Sequence, residues 1–105
     1  MPRSAPTLSY THIRDYAERF TWIDPATGER QTGFNPPDNA VDKQKVPFNI
    51  VYLTSEGIPH KGRVVCIKVN PAYHTRLIQY IDSGEIRQVS DSLIVSIDGV
   101  RFVTH

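Results

Sequence analysis

Apolar and polar residues alternate with a period near two along much of the chain, the pattern of half-buried strands. The pattern is clearest at the end, where Ser92-Leu93-Ile94-Val95-Ser96-Ile97 and Val100-Arg101-Phe102-Val103-Thr104 flank Asp98-Gly99. Asp-Gly between two such runs predicts a hairpin closed by a two-residue primed turn. That turn sets the register: Ile97 faces Val100, Val95 faces Phe102 and Leu93 faces Thr104 on the core side. Ser96 with Arg101, and Ile94 with Val103, then share the opposite face.

Phe48 to Leu53 and Arg63 to Val69 are rich in β-branched and aromatic residues and are separated by Ser55-Glu56-Gly57, so they read as neighbouring antiparallel strands. Their nearly continuous apolar character places them centrally, covered at least in part on both faces. Gly62 marks a bend or bulge at the start of the second. Glu85 to Val89 forms a further short strand, with Ser90-Asp91 as its turn. Nearer the start, Asp24-Pro25-Ala26-Thr27-Gly28 has turn chemistry and predicts a hairpin of Tyr16 to Ile23 with Glu29 to Phe34. Residues 8–19 fit helix or strand, because Ile13, Tyr16, Ala17 and Phe20 also recur at helical spacing.

Two segments depart from the strand pattern. Asn70-Pro71 is a helix start, with Asn as the cap and Pro at a position whose backbone donor would be unpaired. Tyr73, Leu77, Tyr80 and Ile81 then fall on one stripe, and Ser83-Gly84 supplies a stop, predicting one helix over about Pro71 to Asp82 packed on the sheet. From Asn35 to Pro47 there is no period, and Pro36, Pro37 and Pro47 remove ladder donors, so this stretch reads as a long loop. Such a loop either crosses between sheet edges or serves a partner. Residues 1–8, with two prolines and no periodicity, read as a frayed start.

The expected fold is therefore one α+β domain over residues 1–105, mostly β. It is a bent antiparallel sheet or small barrel of about five to seven strands, with one short helix. The strand count resembles that of small SH3-like or OB-like β-barrel accessory proteins of bacteria, a likeness of architecture that carries no function.

Composition narrows the classes. Hydrophobic residues make up 39% of the chain, enough to offset chain entropy and to exclude a disordered segment. Twelve Lys and Arg against eleven Asp and Glu leave a net charge of +1, without the global basic excess of a dedicated nucleic-acid binder. Cys66 is the single cysteine, so neither an intrachain disulfide nor a Cys-pair zinc site can form, which suits a reducing, cytoplasmic compartment. The first residues lack the apolar run of a signal peptide, and no stretch approaches the roughly 18 apolar residues of a membrane span.

Residues with chemical potential are scattered. His12, His60, His74 and His105 are not at metal-ligand spacing, and Cys66 sits in a strand with nothing beside it to lower its pKa. Asp82, Glu85, Asp91 and Asp98 fall at turns and element ends, where carboxylates have structural roles. No nucleophile motif, phosphate loop or cofactor signature is present. The leading expectation is a non-enzymatic binding module whose partner is nucleic acid, contacted by Lys43, Lys45, Lys61, Arg63 and Lys68. Arg87 and Arg101 would extend that stripe, and Tyr10, Tyr16 or Phe34 would supply stacking surfaces. The alternative is a homodimer or a protein partner docked on the C-terminal hairpin through Ile94 and Val103, beside an edge left unpaired. A small enzyme assembled only in space is the third reading.

Overall fold

The structure, a computed structural model, describes residues 7–103. In chain order its strands are β1 (Thr7–Ser9), β2 (Phe20–Ile23), β3 (Arg30–Gly33), β4 (Val41–Lys45), β5 (Phe48–Leu53), β6 (Pro59–Asn70), β7 (Thr75–Tyr80), β8 (Ile86–Ser90), β9 (Ile94–Ile97) and β10 (Val100–Val103). A 3-10 turn (Tyr10–His12) and the single-turn helix α1 (Arg14–Ala17) lie between β1 and β2, and a second 3-10 turn (Asp91–Leu93) joins β8 to β9. Seven strands form one sheet in the order β1-β10-β9-β5-β6-β7-β8, and three form another in the order β3-β2-β4. The class is α+β, mostly β. The large sheet is mixed, because β1 runs parallel to β10, and it stays open, with β1 and β8 as its two edges.

Strand alternation builds the core. On β5, Phe48, Ile50 and Tyr52 point inward and are buried, whereas Asn49, Val51 and Leu53 face the other way. Val64 and Cys66 from β6, Ile78 from β7, Val89 from β8, Ile97 from β9 and Phe102 from β10 join the same cluster. The segment that fits helix or strand by sequence uses both, together with a 3-10 turn. Leu8 pairs with Phe102 in β1, Ser9 caps the 3-10 turn, and the short helical segment delivers Ile13 and Ala17 into the core. Burial of each such large apolar side chain contributes roughly 1.5–3 kcal/mol. Outward positions on the central strands are less buried: Val51, Val65, Gln79 and Ser96 are half-buried, and Asn49, Lys61 and Arg63 are exposed.

The turns follow their chemistry. Asp98 and Gly99 both take positive φ, 50° and 83°, and Val100 pairs with Ile97 and Arg101 with Ser96, the register the primed turn imposes. The Asp24 to Gly28 turn closes the β2–β3 hairpin, with Phe20 opposite Gly33 and Ile23 opposite Arg30. The strands of that hairpin are shorter than expected, since Tyr16 and Ala17 belong to α1.

Three expectations are corrected. No helix spans 71–82: Asn70-Pro71 does start a helical turn, with the Tyr73 and His74 amides donating back to the Asn70 and Pro71 carbonyls, but His74 then adopts φ of 52° and the chain re-enters the sheet as β7. Thereafter Arg76 and Ile78 point inward with period two, while Tyr73 and Ile81, members of the supposed stripe, are 76% and 47% exposed. Strand pairing on both sides, with β6 and β8, overrides the local helical signal. The stretch 35–47 is not wholly loop, for β4 lies between its prolines and pairs with β2. All five β4 residues are exposed, so no hydrophobic period betrayed the strand. Gly62 sits in regular register opposite Ile50; it is needed because a Cβ there would fall inside contact distance of the Tyr80 ring. The bulge in β6 lies instead at Ile67, between the pairs Cys66–Ile78 and Lys68–Leu77.

Residues 1–6, most of the expected frayed start, lie outside the described residues; Thr7 and Leu8 are strand. Among the described residues no helix is long and apolar enough to cross a membrane.

Candidate nucleic-acid interface

Strand parity decides where the cations go. Lys61, Arg63 and Val65 alternate with the inward Val64 and Cys66, so they project from the outward face of the large sheet. Without the bulge Lys68 would point inward with Cys66. The extra residue Ile67 shifts the phase by one and places Lys68 outward, opposite Leu77. Arg101, opposite Ser96 on β10, lies on the same face, and Ser96 is in turn opposite Val51, whose β6 partner is Lys61. Along β5 to β10 the outward positions otherwise carry aliphatic, hydroxyl and amide side chains such as Val65, Leu77, Gln79 and Gln88. Among the described residues none of these outward strand positions is a carboxylate, and Lys61, Arg63, Lys68 and Arg101 have no ion-pair partner. A chain of net charge +1 thus gathers four exposed cations on one open face.

The remaining members of the expected set are elsewhere. Lys43 and Lys45 belong to β4 in the small sheet. The Lys45 ammonium donates to the Cys66 carbonyl at 2.6 Å and lies 5.3 Å from the centre of the Phe20 ring. The bulge explains the first contact, since the broken ladder at Ile67 lets the Cys66 carbonyl accept a side chain. Arg87 is opposite the buried Ile78, so it leaves the outward face, and it pairs with Glu85. Of the proposed stacking rings, Tyr16 packs edge-on against Phe102 at 5.6 Å, and Tyr10 packs against His74. Only Phe34 is at the surface beside a cation, with the Arg14 guanidinium 5.8 Å from its centre.

The association surface changes more. Ile94 is 4% exposed and belongs to the core. On β9 Ser96 is opposite Val51 but Ile94 is opposite Tyr52, so Val95 is an extra residue and Ile94 regains the inward phase of Ile97. Val103 is half-buried. The hairpin edge that would have been unpaired is occupied by β1, with Thr7, Leu8 and Ser9 opposite Arg101, Phe102 and Val103.

Sequence reasoning missed a buried ion triad. Arg76, 6% exposed, donates from Nε to Asp91 at 2.9 Å and from Nη1 to Glu18, tying the end of α1 to β7 and to the β8–β9 connection. Burial opposes charge on this guanidinium, yet the bonds to Glu18 and Asp91 outweigh it and hold the group above its ordinary pKa. Burial pushes the Asp91 carboxyl up, against the downward pull of Arg76. The available cue was an Arg in phase with Ile78 and Tyr80, obscured by the helical reading of the same residues. Burial also pushes the Cys66 thiol up, which favours the un-ionised form over a nucleophilic thiolate. Asp98 serves beyond its turn: its carboxylate accepts from the Asn49 amide at 2.8 Å and pairs with Arg19 at 3.5 Å.

Among the described residues no group of three His, Cys, Asp or Glu side chains is placed to share a metal ion. No protein-family model matches the chain, and neither a curated protein nor a solved structure does.

Proposed function

We propose that this protein is a nucleic-acid-binding module whose contact surface is the outward face of the seven-stranded sheet. The observation that supports this reading is the one-signed charge of that face: Lys61, Arg63, Lys68 and Arg101 are exposed and, among the described residues, have neither an ion-pair partner nor an outward acidic neighbour along the strands. Cations held on a rigid sheet attract a polyanion because each phosphate contact releases a condensed counterion. Between them lie aliphatic and amide side chains rather than rings, so the face favours backbone contacts over reading of base edges. Lys43 is outside this surface and is not part of the proposed contact set. Association through Ile94 and Val103 is the weaker reading, since Ile94 is buried and β1 covers the adjoining edge.

Fluorescence anisotropy with labelled single- and double-stranded oligonucleotides at about 50 mM salt tests the proposal. Wild type is expected to bind at tens of micromolar or below, within the range of about 10⁻⁴–10⁻⁶ M or tighter typical of non-specific contacts. The double variant Lys61→Glu, Arg63→Glu changes exposed side chains only, so it should fold normally and lose most of this binding. Absence of binding by wild type to either oligonucleotide, or equal binding by the charge-reversed variant, would overturn the proposal.

A further inference from the structure

Lys68 belongs to two surfaces. It ends the cationic row of the outward face, and it also lines a cleft of about 300 Å3 between α1, the small sheet and the β6 bulge. The cleft has an apolar floor in which Cys66 and Ala17 are buried. Its walls carry two phenylalanine rings, Phe20 and Phe34, brought together at the open end of the β2–β3 hairpin, where Phe20 pairs with Gly33. Lys45 and Arg14 stand over those rings, at 5.3 Å and 5.8 Å from their centres. Among the described residues one carboxylate lines the cleft, that of Glu18, and it is already engaged by Arg76; Arg19, also on the wall, is paired with Asp98. Arg14 and Lys45, over the rings, and Lys68, at the rim where the cleft meets the outward face, have no acidic partner among the described residues.

An apolar floor, aromatic walls and a cationic rim suit a ligand that is itself aromatic at one end and anionic at the other. We infer that this cleft is a nucleotide pocket, which takes a single unstacked nucleobase against Phe20 and Phe34 while Lys45 and Arg14 hold its phosphate. The inference rests on the nucleic-acid reading, which it deepens: a strand whose backbone tracks the outward face reaches the cleft at Lys68 and inserts one base there. A duplex keeps its bases stacked and paired and must pay to extrude one, so the pocket favours single strands. The Asn35 amide at the mouth offers a donor and an acceptor to a base edge.

Titration of 15N-labelled protein with adenosine 5′-monophosphate, cytidine 5′-monophosphate and inorganic phosphate tests the pocket, with amide shifts read at Phe34, Asn35 and residues 66–69. Either nucleotide at millimolar concentration is expected to shift these amides, and inorganic phosphate to do so at least tenfold more weakly, because it lacks a ring to stack. Phe34→Ala removes a partly exposed ring without opening the core and should weaken nucleotide binding by roughly tenfold, the scale of one base–aromatic stack. Lys61→Glu should leave mononucleotide binding unchanged while weakening oligonucleotide binding. The inference is overturned if no nucleotide shifts these amides, if inorganic phosphate binds as well as the nucleotides, or if Phe34→Ala has no effect. Failure here with oligonucleotide binding intact removes the pocket alone. Mononucleotide binding without oligonucleotide binding removes the face reading, and with it the insertion of a base from a bound strand.

Discussion

The two sheets are held together by different physics. Every buried apolar residue of the described chain comes from the large sheet or from the segment at Ile13 and Ala17 that packs on it. The small sheet contributes none: β2 is half-buried throughout, β4 is exposed throughout, and β3 is exposed but for Gly33. Polar ties and one ring hold it instead. Arg30 donates to Thr21 on β2 and to Asp42 on β4, Gln44 donates to Asp42, and Trp22 lies so close over Gly33 that a Cβ there would meet the ring at 3.0 Å. Three ties connect this sheet to the large one: Lys45 to the Cys66 carbonyl, Arg19 to Asp98, and β4 running on into β5 through Val46, whose amide donates to the Arg19 carbonyl. The lesson is that a regular ladder needs little core of its own when an adjoining core anchors it. The cleft formed where the two meet is then a seam between a wall backed by the buried core and one without a core of its own.

The sharpest way to break this contrast is to put charge where only one sheet has an interior. Ile94→Lys places an ammonium in the core and should abolish cooperative unfolding or lower stability by more than about 4 kcal/mol. Val103→Glu, at a half-buried site, should leave the protein folded, as judged by circular dichroism and thermal melting. A soluble, fully folded Ile94→Lys would mean that Ile94 is not in the core. Next in size, Phe48→Ala should cost about 3–5 kcal/mol in urea unfolding, against about 0.5 kcal/mol or less for Val41→Ala on β4. Comparable costs would show that the small sheet has a packed interior after all.

Legibility in the sequence follows the same division. Where alternation coincides with burial, as in β5, or where a turn has specific chemistry, as at Asp98-Gly99, residues alone set the element and, next to the turn, the register; farther along the hairpin the expected facing of Val95 with Phe102 and of Leu93 with Thr104 gives way to the Val95 bulge and a 3-10 turn at Leu93. β4 was illegible because its five residues are all exposed and carry no period. β7 was misread because Tyr73, Leu77, Tyr80 and Ile81 satisfy a helical spacing by coincidence, and only pairing with β6 and β8 reveals period two. The candidate face was half legible: Lys61 and Arg63 share it by simple alternation. Lys68 reaches it, and Ile94 leaves it, through single-residue bulges at Ile67 and Val95 that no local signal marks. The ring-lined cleft depends on contacts between the two sheets, and those are not local at all.

Within the large sheet the inward end is tightly fitted, and Gly62→Ala tests it. The new methyl group meets the Tyr80 ring, whose hydroxyl is fixed 2.8 Å from that of Tyr52, so a cost of about 1–3 kcal/mol is expected. Tyr80→Ala in the same chain should recover part of that cost, and strict additivity in the double-mutant cycle would contradict the fit.

The smallest effects come from titration and have opposite signs in the two sheets. The bond from Arg30 holds the Asp42 carboxyl below its usual value, so this tie is present above about pH 4 and is lost as pH falls through the depressed value. Hydrogen exchange should show β2 to β4 loosening in acid before β5 to β7. Tyr80 is pushed up to about 12 by burial and by the Tyr52 hydroxyl, so its contribution is complete below about pH 10 and is lost as pH rises toward 12. Ultraviolet titration should show the Tyr80 phenol ionising above its ordinary range, and Tyr52→Phe should move it earlier. An unchanged titration in that variant would remove the Tyr52 hydroxyl as a cause.

The salt dependence of single-strand binding, measured for Lys61→Gln on the large sheet and Lys43→Gln on the small one, separates the two regions most directly. Each phosphate contact contributes about 0.7 to the slope of log K against log salt on a single strand. Lys61→Gln should flatten the wild-type slope by about that amount, and Lys43→Gln should leave it unchanged. A flattened slope for Lys43→Gln with none for Lys61→Gln would move the contact surface to the small sheet and contradict the assignment of the outward face.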